Sequence, residues 1–215
     1  MWSAAGMKKL LRNFRTLTIG KIKAFAIDRT GVAMTEFAMM LPVLMILTAG
    51  SFEVARYALI NQKMDRIVAT LSDLVARSDG TSMTETEISN IIDSARYMAR
   101  PFDFSNDSMI VLTSVQGRTA AAPYILSQRV SGTVTGGKSA IGEAINGDAS
   151  LPPAFIDVGG GETLPETETL VVAELIYTYK PYLIGALGLF DETILYRDAY
   201  FRPRFTARIT FPSAP

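Results

Sequence analysis

"RTGVAMTEFAMMLPVLMILTAG", residues 29–50, places one carboxylate, Glu36, at the edge of an almost purely apolar run. Residues 37 to 52 form 16 positions without a charge, and residues 30 to 52 form 23 with Glu36 as the only one. A membrane-crossing helix needs about 17–25 residues, so the run spans a bilayer only if Glu36 is accommodated. A lone carboxylate at mid-bilayer costs about 2.5–3.5 kcal/mol on insertion scales, and less near the interface. Reading this stretch as a membrane helix decides how the rest of the chain is arranged.

The flanking charge sets the direction. Residues 1 to 31 carry seven basic side chains (Lys8, Lys9, Arg12, Arg15, Lys21, Lys23 and Arg29) against the single acid Asp28, a charge of +6. The remaining 14 basic and 20 acidic residues carry −6, so the net charge of zero hides a strong asymmetry. A basic, acid-poor start leading into an apolar run is a targeting pattern. It places the N-terminus in the cytoplasm and the bulk of the chain outside. A nucleic-acid-binding arm is the competing reading, but these basic residues lead into an apolar segment and not into a folded basic face. A cleaved secretory signal fits poorly, because no small-x-small cleavage site with a plausible end follows the run and "TAGSFEVARYALINQKM" (48–64) continues with helical character.

The continuation is amphipathic. Ile60, Met64, Ile67, Val68, Leu71, Leu74 and Val75 recur at helical spacing, while Lys63, Arg66, Asp73 and Arg77 mark the other face. No Gly or Pro interrupts residues 51 to 79, and "SDGTS" (78–82) closes the segment. One helix from about residue 32 to residue 78 would be roughly 70 Å long. Its first half belongs in lipid, and its second half packs on a soluble domain. Pro42 removes a backbone donor and frees the Ala38 carbonyl, which predicts a kink.

A second helix begins at a capping box formed by Thr84 and Glu87; Ile88, Ile91, Ile92, Ala95 and Ala99 give it one apolar face, and it stops before Pro101. The period then changes. "SMIVLTSVQ" (108–116), "YILSQRVSG" (124–132) and "TLVVAELIYTYKPY" (169–182) read as strands, as does a final region within "ETILYRDAYFRPRFTARITF" (192–211). The glycine-rich stretch 132–161 reads as loops around one short helix near residues 140 to 145, and "PYLIGALGLF" (181–190) as a loop or amphipathic turn. The expected fold is α+β: a long N-terminal helix, a second helix, then an antiparallel sheet of about four strands.

The chain has no cysteine and no histidine. Disulfides, thiolate and imidazole metal sites, and serine-histidine catalysis are therefore excluded. No carboxylate, lysine or tyrosine constellation replaces them. "GGG" at 159–161 lacks the lysine and the strand-to-helix context of a phosphate loop. Glu162, Glu166 and Glu168 match no standard cation loop, and the adjacent Asp191 and Glu192 point in different directions. Tyr177, Tyr179, Tyr182, Tyr196 and Tyr200 could form a stacking patch, but on strands such residues usually pack in the core or across strands. The chain reads as a non-enzyme with no metal site and no cofactor.

"DRTGVAMTEFAMMLPVLMIL" (28–47) resembles the TadE/TadG-like family, the pseudopilin-type proteins of bacterial Tad (Flp-type) pilus systems. The residues that carry the resemblance are Gly31, Glu36, Phe37, Ala38 and Pro42. "VVAELIYTYKPYL" (171–183) and "AYFRPR" (199–204) resemble the family's C-terminal strand motifs, through Glu174, Tyr177, Tyr179, Pro181, Arg202, Pro203 and Arg204. The stretch from about 101 to 160 carries no such motif. The resemblance implies a prepilin peptidase substrate cut after Gly31, which makes Val32 the first residue of the mature chain and Glu36 the fifth. Its basic leader of 31 residues would be long for that class, so an unprocessed, permanently bitopic form stays open.

Physical chemistry supports the same role for Glu36. The unsatisfied amides and dipole of a helix N-terminus favour an anion, and processing adds a cationic α-amino group nearby. Glu36 would then set the register of one subunit against another; the bland alternative is an interfacial acid that merely snorkels. The expected domains are a cytoplasmic leader (1–31, cleaved), a long helix (32–78, in the membrane over about 32–53) and an outer α+β domain (79–215). The expected function is a minor pilin-like component of a Tad-type pilus assembly system in the bacterial inner membrane, single-pass, with its C-terminal domain periplasmic and incorporation into the pilus left open. Its partners would be membrane lipid, prepilin peptidase and other pilin-like or pilus assembly proteins, with no nucleic acid. The alternative is a bitopic envelope protein whose outer domain binds a ligand or surface polymer.

Overall fold

A computed structural model describes residues 30–104, 106–118, 121–156, 164–186, 188 and 191–212. Residues 1–29 of the basic leader, the glycines at 159–161 and Glu162 lie outside the described residues. The chain forms α1 (Thr30–Ala76), α2 (Glu85–Ala99), β1 (Ser108–Arg118), β2 (Ala121–Gly132), the single-turn α3 (Pro153–Ile156), β3 (Thr169–Tyr179), the single-turn α4 (Leu183–Ala186) and β4 (Thr193–Phe201). The fold is α+β, as the sequence implies. The chain divides into two units between Ser51 and Phe52, within α1.

In the first unit α1 is apolar and exposed on all sides: Val32, Phe37, Met40, Leu44 and Leu47 are each more than half exposed. The helix continues through Pro42. The hydroxyls in this part turn inward, with Thr35 donating to the Val32 carbonyl, Thr48 to Leu44 and Ser51 to Leu47, each at 2.8 Å. Hydroxyls satisfied within the helix and apolar side chains facing outward suit a hydrocarbon environment. The apolar stretch is long enough to cross a membrane.

In the second unit the same helix buries one face. Ile60, Met64, Ile67, Val68, Leu71 and Val75 are buried, as their spacing implies. Leu74 lies at the rim of the stripe and is 37% exposed. Helix α2 starts where expected: the Thr84 side chain accepts from the Glu87 amide, and the Glu87 carboxylate accepts from the Thr84 amide at 2.7 Å. Both helices share one core with Ile110, Leu112, Val171, Ala173, Leu175 and Leu195.

The sheet is wholly antiparallel in the order β2-β1-β3-β4. The central strands β1 and β3 are buried on both faces, which is why both read as nearly continuous apolar runs. Alternate residues of β3 face opposite ways. Val171, Ala173 and Leu175 meet the helices, while Leu170 and Val172 join Val115, Ile125, Ile141 and Leu164 in a second core. That second core is closed by the loops at 133–150 and around Leu164.

One expectation fails here. Residues 140–145 form no helix but a series of bends and turns. Gly142 adopts φ +131° and Asn146 φ +64°, values that break helical hydrogen bonding. Gly117, at a register shift of β1 against β2, is needed for space: a Cβ there would lie 1.8 Å from the Leu164 carbonyl oxygen.

Candidate functional site

The two C-terminal motifs singled out in the sequence both fold onto the buried half of α1, one near each end. At the first, Glu53 is only 5% exposed although it is charged. Its carboxylate accepts hydrogen bonds from the Tyr179 hydroxyl, from the backbone amide of Tyr182 at 3.1 Å and from that of Leu183 at 3.0 Å. Arg56 lies 3.4 Å away as its counter-ion, donates to the Lys180 carbonyl at 3.0 Å and sits 5.4 Å from the Tyr179 ring centre. Tyr57 packs edge-on against Tyr179, with ring centres 5.3 Å apart. Val54, Tyr57, Pro181 and Thr193 line a small hollow of about 240 Å³ beside them. Burial pushes the Tyr179 phenol up, and the Glu53 carboxylate it bonds raises it further, to about 12.

At the second, the backbone amide of Arg204 donates to the Ala76 carbonyl at 2.9 Å, satisfying one of the carbonyls left free where α1 ends. The Arg204 guanidinium pairs with Asp73 at 2.6 Å, and Arg202 pairs with Glu168 at 2.9 Å. Pro203 sits between them in a segment that is neither helix nor strand. The chain then continues to Thr210, which bonds both the Thr81 carbonyl and the Met83 amide.

Glu174 belongs to neither latch. It is fully buried on the β3 face opposite the helices, where it accepts from Ser139 Oγ at 2.6 Å, the Ala140 amide at 2.7 Å and the Tyr196 hydroxyl at 2.9 Å. It pins the 133–150 loop to the sheet. Burial, and next the charge of Glu174, raise the Tyr196 phenol.

The tyrosines do not gather into one patch. Tyr177 stacks on Phe104 at 4.4 Å, Tyr200 stacks on Phe155 at 4.6 Å and donates to Asp198 at 2.6 Å, and Tyr182 projects outward. Gly31, Val32, Glu36, Phe37, Ala38 and Pro42 all lie exposed on the first half of α1. Among the described residues no three acidic side chains cluster as a metal ion would require.

Glu53 is the residue that sequence reasoning passed over, and its signal was present. Counting back seven from Ile60 puts Glu53 on the buried stripe itself, where a charge needs partners.

Residues 31–70 match the family model of TadE-like proteins. That stretch of the long helix is similar to TadE-like proteins. The match points to a pilus-associated structural component with an N-terminal apolar helix, in agreement with the TadE/TadG-like resemblance of the sequence. No curated protein and no solved structure matches the chain. The TadE-like stretch holds Gly31, Glu36 and Pro42 on the apolar side and Glu53 and Ile60 to Val68 on the packed side. The C-terminal motifs that latch onto α1 lie beyond the matched residues, as do Asp73 and Ala76, which the second motif contacts.

Proposed function

We propose that this protein is a minor pilin-like component of a Tad-type pilus assembly system, acting by helix packing and domain contacts. The observation that carries the reading is the change of character along α1 within the TadE-like stretch. Up to Phe52 the helix exposes apolar side chains all round, and from Glu53 on it is latched into a folded domain. A helix of that kind inserts its first part among lipids and other apolar helices while its domain presents a surface outside.

In this reading prepilin peptidase cuts after Gly31, and the new α-amine of Val32 lies one helical turn from Glu36. Glu36 pairs with that amine or with the amine of a neighbouring subunit, a charge-assisted bond that gains strength in low dielectric. Phe37, Ala38 and Pro42 belong to the membrane helix that packs among lipids and neighbouring helices. The N-terminus is cytoplasmic and the domain periplasmic, as the +6 leader directs.

A photo-cross-linking residue placed at Leu44 in host cells tests this. The account expects adducts with pilin-like or pilus assembly proteins. Adducts confined to unrelated envelope proteins would contradict it.

A further inference from the structure

We infer that residues 181–183, held by Glu53, are a second membrane contact: a loop that rests at the lipid–water boundary beside the point where α1 leaves the bilayer. This rests on the membrane reading proposed above and adds a site to it.

The height of the loop follows from two facts. The uncharged run ends at Phe52, and Glu53 is the next residue of the same helix. Residues 30–52 cover about 34 Å at 1.5 Å per residue, against a hydrocarbon thickness of about 30 Å, so residue 53 falls at the boundary. The amides of Tyr182 and Leu183 lie 3.1 and 3.0 Å from the Glu53 carboxylate. Whatever the tilt of the helix, the loop stays within one side chain's reach of that level.

The chemistry of the loop suits that level. Tyr182 is 71% exposed, with its amide engaged and its ring free. Residues 181–190, "PYLIGALGLF", contain no charge. Val54 and Tyr57 stand exposed on the adjacent helix turn and, with Pro181, Asp191 and Thr193, line the hollow next to it. Tyrosine beside exposed aliphatic groups is the composition of an interfacial belt, where the ring sits among acyl chains and the hydroxyl meets headgroups and water. The occupant is therefore lipid. Glu53 is the device that makes this possible: it takes up the two loop amides, which would otherwise be left unpaired near hydrocarbon.

The test uses the full chain, with Trp2→Phe to remove the native tryptophan, in nanodiscs whose lipids carry bromine on the upper acyl chain. Three single tryptophan reporters are compared: Leu44→Trp in the apolar run, Tyr182→Trp in the loop, and Phe205→Trp on an exposed position near the far end of the domain helix. The expected result is quenched, blue-shifted emission for Leu44→Trp and Tyr182→Trp, and unquenched emission for Phe205→Trp. A quenched Leu44→Trp with an unquenched Tyr182→Trp overturns the loop contact and leaves the span standing. An unquenched Leu44→Trp overturns the membrane reading and the loop contact together. Equal quenching at Phe205→Trp overturns the proposal too, because contact would then be general and not made by this loop.

Discussion

The carboxylate of Glu53 and the hydroxyl of Tyr179, 126 residues apart in the chain, meet in a buried hydrogen bond. One end of the first C-terminal motif is thereby fastened to the helix at the residue where its apolar run stops. Removing one partner of a buried hydrogen bond costs about 1–3 kcal/mol. Tyr179→Phe should therefore lower the stability of the domain by about 1 kcal/mol, and Glu53→Ala, which strands two backbone amides as well, by about 3 kcal/mol. Glu53→Gln should fall between them. Urea unfolding followed by circular dichroism measures all three; equal stability of Glu53→Ala and the parent would show that the latch holds nothing.

Alkaline pH should loosen the same latch. The folded-state value of Tyr179, about 12, lies above the ordinary value near 10 because burial and Glu53 disfavour the phenolate. A group whose folded value is raised contributes stability that is complete below the unfolded value and is lost as pH climbs toward the folded one. The melting temperature should therefore fall between about pH 10 and pH 12, with Tyr196 and Tyr200, also raised by burial and neighbouring carboxylates, adding to the fall. Tyr179→Phe should show a shallower decline over that window. An identical slope would remove Tyr179 from the account.

The stripe on α1 allows a sharper contrast than its spacing alone would give. Ile67 and Leu71 are fully buried, whereas Leu74 belongs to the same periodic series at the exposed rim. Aspartate at Ile67 or Leu71 should cost several kcal/mol and unfold the domain, as an unpaired buried charge does. Leu74→Asp should stay within about 1 kcal/mol of the parent. Thermal melts of the three variants separate the cases, and similar losses at all three would mean that the rim is covered in the working state.

Processing can be read from fluorescence. The chain holds one tryptophan, Trp2, which lies in the leader. If the chain is cut after Gly31, protein extracted from a peptidase-competent strain should emit from tyrosine alone, and Gly31→Leu should restore tryptophan emission and run larger on a gel. Tryptophan emission from the parent protein would argue for a leader that is kept.

The elements were legible because their signals were local. Periodicity gave the stripe on α1, Thr84 and Glu87 gave the start of α2, and the β-branched run of β3 gave the strand at the centre of the sheet. The helix expected near residues 140–145 failed because Gly142 and Asn146 take positive φ and because Glu174, distant in sequence, holds Ser139 and Ala140 in a loop. The role of Glu53 was not legible in the same way. Its place on the stripe could be counted, but its partners come from a segment more than 120 residues away, and only the folded chain brings them together. Glu174 was singled out by motif, yet its function as an acceptor for a loop depends on that same long-range closure.

The central claim is that Glu36 serves assembly and not merely insertion. The most direct test is pilus output from a deletion strain carrying Glu36→Gln, with membrane levels of the protein measured alongside. The amide keeps the shape of the side chain and loses the charge-assisted contact to an amine. The account predicts normal amounts of variant in the membrane, cut after Gly31, with pili lost or scarce, and a still poorer result for Glu36→Lys, which sets like charges together at the positive helix end. Normal pilus output from the glutamine variant would contradict the account and leave Glu36 a tolerated interfacial acid.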